Sequence, residues 1–92
     1  MKKGDTVYFW WSCSYYYMVK FVEWKLTRRG VCAVVESEWL FDKCIMPKIP
    51  HGYRRGQAVL QPHTDLYRSS RAAEAKNRKI RRPSAEQLRR AV

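Results

Sequence analysis

Thr6-Val7-Tyr8-Phe9-Trp10-Trp11-Ser12 is built from β-branched and aromatic residues, the side chains that best fill a pleated surface, and it reads as a first strand. Successive strand side chains alternate, so Val7, Phe9 and Trp11 share one face while Tyr8, Trp10 and Ser12 share the other. Both faces are aromatic, and the alternation does not say which is inside. Either a curled sheet covers both in part, or one face is an exposed aromatic patch.

Outward from this run the chain keeps a β rhythm. Lys3-Gly4-Asp5 is a turn-like lead and Ser12-Cys13-Ser14-Tyr15 a turn. Residues 16–26 form a second strand region, with Val22, Trp24 and Leu26 facing one way and Phe21, Glu23 and Lys25 the other. Thr27-Arg28-Arg29-Gly30 is a hairpin connection in which Gly30 can adopt a left-handed conformation. Residues 31–36 are nearly all apolar and suit a central strand, and residues 39–46 a fourth. Pro47 and Pro50 cannot sit inside a paired strand, so residues 47–56 are a loop. Residues 57–61 give a short fifth strand, after which Pro62-His63-Thr64-Asp65 turns the chain and Leu66 and Tyr67 dock back.

A helix is expected from Arg71, with Ser70 as N-cap, alanines at 72, 73 and 75, and a Glu74/Arg78 pair at i,i+4 spacing; its supported stretch runs to about Ile80. Pro83 ends or kinks it. Ser84 and Gln87 then have capping-box spacing, with Pro83 and Leu88 at the staple positions, so a stub helix to Arg90 follows, too short to hold by itself.

Short strands with tight turns predict a mostly β fold, a small five-stranded antiparallel SH3-like barrel over residues 1–67, followed by a basic C-terminal helix and tail over residues 68–92. An OB-like barrel would call for longer strands and a helix between the third and fourth. Lys3-Gly4-Asp5-Thr6-Val7-Tyr8-Phe9 resembles the opening of small prokaryotic and phage SH3-like proteins of the KOW and Tudor-like group. Arg29-Gly30-Val31 resembles their next hairpin, and residues 65–73 their lead from the last strand into a capped helix. Residues 10–17 depart from that pattern, which has a charged or glycine-containing loop there. The resemblance implies the barrel and a choice among RNA-binding, peptide-binding and ribosome-associated roles.

The charge is uneven. Residues 68–92 carry nine Lys/Arg against two acids, whereas twelve of the thirteen aromatics precede Asp65. A basic arm behind an aromatic front points to an acidic polymer as partner. The expected function is a non-enzymatic nucleic-acid-binding module, RNA ahead of DNA. Arg28, Arg29, Arg54, Arg55, Arg71, Lys76, Arg78, Lys79, Arg81 and Arg82 would contact phosphates. Trp10, Trp11, Tyr15, Tyr16 and Tyr17 would supply a stacking patch. Three consecutive tyrosines cannot all point inward, so at least one is exposed; the same holds for Trp10 or Trp11. The alternative is a protein-interaction or structural module, phage-encoded or ribosome-associated or a homodimer, that uses the aromatic patch as its interface; an acidic protein surface is the alternative partner of the basic arm.

Catalysis is not expected. His51 and His63 lie in Pro/Gly turns, the acids form no recognised ligand set, and there is no phosphate-cradling Gly loop or nucleophile elbow. Cys13, Cys32 and Cys44 have no zinc-knuckle spacing and read as buried free thiols of a reducing cytoplasm; no metal and no cofactor is expected. The longest uncharged run, residues 6–19, is too short to cross a bilayer, so no membrane partner is expected.

Overall fold

The structure, a computed structural model, describes residues 1–11, 15–37 and 56–90. Among them are strands β1 (Thr6–Trp10), β2 (Tyr16–Thr27), β3 (Gly30–Glu36) and β4 (Gln57–Val59), then helices α1 (Ser70–Ala75) and α2 (Ala85–Arg90). The strands form one antiparallel sheet in sequence order, β1-β2-β3-β4.

Period-two alternation sorts the side chains of β1 and β2 onto two faces. Val7 lies opposite Val19 and Phe9 opposite Tyr17 on the inner face; Tyr8 lies opposite Met18 and Trp10 opposite Tyr16 on the outer. The inner face is the main core: Val7, Phe9, Val19, Phe21, Ala33, Val35 and Ala58, joined by Leu60 and Leu66, with Tyr17, Trp24 and Ile80 packed against them.

The expected phase of β2 needs correction. Phe21 pairs with Val35, Glu23 with Val34 and Trp24 with Ala33, so β2 advances three residues while β3 advances two and Val22 is the extra residue of a β-bulge. The bulge shifts the phase by one and brings Phe21 and Trp24 to the same side, with ring centroids 5.4 Å apart. At the β2–β3 turn, Gly30 has φ +127°, a conformation other residues rarely adopt, and the Thr27 hydroxyl bonds the Gly30 carbonyl.

The five-stranded barrel is not formed. Among the described residues there are four strands, and the sheet stays open. The expected fifth strand appears as the three-residue β4, and the expected fourth, residues 39–46, lies outside the described residues. The chain does return to the free edge of β1, where Tyr8 and Tyr67 exchange both backbone hydrogen bonds, at 2.8 and 2.9 Å. Closing a barrel requires a continuous ladder there. Beyond Tyr67 the pairing goes no further because Ser69, two residues on, is already the cap of α1.

The helices also differ from expectation in their limits. The N-cap of α1 is Ser69, not Ser70: its backbone is extended and its hydroxyl accepts from the Ala72 N–H at 3.1 Å. The helix ends at Ala75 because Lys76 turns left-handed, φ 52°. The N–H groups of Lys76 and Asn77 return to the carbonyls of Ala73 and Ala72, a Schellman closure. Glu74 therefore has no i,i+4 relation to Arg78 within a helix, and accepts from Tyr16 instead. The capping box of α2 is present as expected: the Ser84 N–H donates to Gln87 Oε1 at 2.8 Å and the Gln87 N–H to Ser84 Oγ at 3.1 Å.

Candidate nucleic-acid interface

The outer face of β1 and β2 carries the rings of Tyr8, Trp10 and Tyr16, and α1 lies across them. Ala72 and Ala73 are buried there beside Tyr67. Small side chains let the helix backbone approach the rings, and polar tips fix it. Trp10 Nε1–H donates to the Ala73 carbonyl at 2.8 Å, and the Tyr16 hydroxyl donates to Glu74 Oε1 at 2.7 Å. The Lys76 ammonium sits 4.9 Å from the centroid of the Trp10 ring, within cation–π range. The bond to the Glu74 carboxylate holds the Tyr16 hydroxyl proton and raises its pKa above the ordinary 10.0.

The five aromatic residues expected to form one patch are thus divided. Trp10 and Tyr16 are the seat of α1. Tyr17 turns to the core side, its ring 6.1 Å from that of Phe9. Trp11 and Tyr15 are exposed, by 50% and 64%, as is Met18 by 61%.

The cations are divided as well. Arg82 is an internal clamp. Its Nη1 donates to the Val31 carbonyl, its Nη2 to the Thr64 carbonyl at 2.6 Å, and its guanidinium lies 5.5 Å from the Trp24 ring. Lys79 pairs with Asp65 at 3.1 Å, and that bond raises its pKa above the ordinary 10.5. Ile80 joins the core as its N–H donates to the Leu66 carbonyl at 2.8 Å. These contacts tie residues 79–82 to the sheet and leave Arg71, Lys76, Arg78 and Arg81 exposed around them. Arg28 and Arg29 are exposed at the β2–β3 turn. Arg54 and Arg55 lie outside the described residues.

Two hollows link these groups. A groove of about 640 Å³ runs between the end of β1 and residues 58–67, lined by Phe9, Trp10 and Trp11 on one side, by Gln61, His63, Thr64 and Asp65 on the other, and by Lys76. A second hollow of about 360 Å³ holds Arg28 and Arg29. Val59, Leu60 and Gln61 line both, and Arg29 Nη1 donates to Gln61 Oε1 at 3.2 Å across their boundary. The arginine turn and the tryptophan groove therefore adjoin. From the sequence, His63, Thr64 and Asp65 read only as a turn. The usable signal was the expected return of Leu66 and Tyr67 to the sheet, which brings that turn against β1.

Among the described residues, no group of three or more His, Cys, Asp or Glu side chains could hold a metal ion, and no helix is long and apolar enough to cross a membrane. Cys32 is a buried free thiol; Cys13 and Cys44 lie outside the described residues. No family model, no curated protein and no solved structure matches this chain.

Proposed function

We propose that this chain is a non-enzymatic nucleic-acid-binding module, RNA ahead of DNA, that grips the phosphate backbone of a single strand. The observation that carries this is the anchoring of the basic segment. Arg71, Lys76, Arg78 and Arg81 project from a stretch held to the sheet by Ile80, Arg82 and the Lys79–Asp65 pair. Cations held in place lose less freedom on binding than cations on a loose arm. Their number favours salt-sensitive attachment to phosphates over sequence readout. The exposed ring of Trp11, which shares a groove with Lys76, suits unpaired bases, which favours single strands.

The test is fluorescence anisotropy of labelled single-stranded RNA and DNA across a salt series. Binding is expected at ~50 mM salt and falls steeply towards ~200 mM. The triple variant R71Q/R78Q/R81Q should flatten the log–log slope by about 2 if each side chain meets one phosphate. No binding to either strand at low salt overturns the proposal. Trp11, Tyr15 and Met18, large and exposed, favour a second reading in which the same end of the molecule meets a protein or a second copy of itself. Light scattering tests it: a dimer lost on substitution of Trp11 supports it, and a strict monomer removes the self-association form.

A further inference from the structure

We infer that the groove beside Trp11 is a seat for one unpaired base, with the strand's phosphates running to Lys76 on one side and to Arg28 and Arg29 on the other. The inference rests on the nucleic-acid reading above and names its site. The ring of Trp11 is half exposed next to the hollow, and Phe9 braces it edge-on at 6.4 Å. A braced, half-open indole offers a flat face for stacking with little freedom left to lose. The opposite wall is polar. Gln61, His63 and Thr64 offer donors and acceptors to the edge of a base.

Charge complementarity selects the occupant. Lys76 lines the groove, and the hollow beyond Gln61 holds Arg28 and Arg29, so cations flank the ring-lined space on two sides. The carboxylate of Asp65 lines the groove too, but Lys79 meets it at 3.1 Å and offsets its repulsion of a phosphate. A volume of about 640 Å³ falls within the span of roughly 300–1,000 Å³ usual for small-molecule seats. Stacking on the Trp11 ring needs a base with a free face, which an unpaired strand offers and the interior of a duplex does not. An acidic peptide would satisfy the cations but would leave the flat ring and the polar wall without a use.

The test uses the full chain, a labelled octauridylate, a duplex of equal length and an oligoglutamate. Trp11→Ala should weaken octauridylate binding by about 5- to 150-fold, the span measured for single stacked bases, and should leave the salt slope unchanged. Lys76→Gln should instead lower that slope by about 0.7. In the wild-type chain the Trp11 indole N–H resonance should move on titration while that of Trp24, beneath Arg82, stays still, which reads the site even if a variant folds poorly. Octauridylate binding that is unchanged in Trp11→Ala, with a stationary Trp11 resonance, overturns the seat and leaves nucleic-acid binding standing. Equal affinity for the duplex, or oligoglutamate binding that depends on Trp11, also overturns it. Absence of any oligonucleotide binding at ~50 mM salt overturns both the seat and the function.

Discussion

The two faces of the β1–β2 hairpin are both aromatic, yet they are sealed by different physics. The inner face is closed by volume. Val7, Phe9, Val19 and Phe21 meet β3, β4 and the returning chain at Leu66 and Ile80, and what holds them is apolar area removed from water. The outer face is closed by direction. Tyr8, Trp10 and Tyr16 are covered by a six-residue helix held through one indole bond, one hydroxyl bond and a cation over a ring. Burial of that kind tolerates little misplacement, whereas the core side depends on filled space. Aromatic content alone therefore says little about exposure. On the outer face, Trp10 and Tyr16 are covered because α1 satisfies their polar tips, whereas Trp11 and Tyr15 stay exposed.

Substitutions should separate the two. Phe9→Ala, at the centre of the inner face, should cost about 3–5 kcal/mol and bring down the whole fold in a denaturant titration. Arg82→Met keeps bulk but removes bonds to two carbonyls on separate segments; a loss of about 2–3 kcal/mol is expected, and Arg82→Lys should not restore it because an ammonium lacks the planar fork. Trp10→Phe removes the indole bond to Ala73 and weakens the Lys76 contact with the ring, and should cost about 1–2 kcal/mol. Its signature is local, with faster amide exchange in α1 and unchanged protection in β3. A global loss as large as that of Phe9→Ala would erase the distinction between the faces. The smallest effect is alkaline. The Tyr16 hydroxyl and the Lys79 ammonium hold their protons more tightly in the fold because of Glu74 and Asp65. Their contributions are fully present below the ordinary values of 10.0 and 10.5 and are lost as pH rises through the raised ones. Stability should fall above about pH 10, and Tyr16→Phe should make that fall shallower.

Local features were legible in the sequence. The Ser84/Gln87 capping box, the Gly30 turn and the first three strands follow from spacing and propensity over a few residues. Features set by distant partners were not. Residues 16–21 and 22–26 carry alternations of opposite phase, and only pairing with β3 shows that Val22 absorbs the mismatch. Propensity carries the helix past Ala75, but Ile80 is wanted by the core beside Leu66, so the chain leaves the helix at Lys76. Arg82 looked like one more member of a basic run because the carbonyls it serves belong to Val31 and Thr64. The barrel failed for a local reason: Leu66 and Tyr67 were expected to dock back and Tyr67 does so on β1, but the capping of α1 at Ser69 ended the pairing after Tyr67. For the proposed interface, the excess of aromatic side chains was legible and their division was not: α1 covers Trp10 and Tyr16 while Trp11 stays open.

The Arg82 clamp has a consequence in time. Its bond to Val31 spans 51 residues of chain and its bond to Thr64 spans 18, so it closes two loops of very different length. Closing the longer loop is the costlier step, and it gains nothing until β3 and the turn before Leu66 are both in position. We expect a contact of that kind to form after the rate-limiting step of folding and to be lost before the rate-limiting step of unfolding. Arg82→Met should therefore leave the refolding rate near wild type and put most of its cost into faster unfolding, which the two arms of a stopped-flow chevron would display separately. Arg82 would then act as a latch that sets how long a folded molecule lasts, with little influence on how quickly one is made.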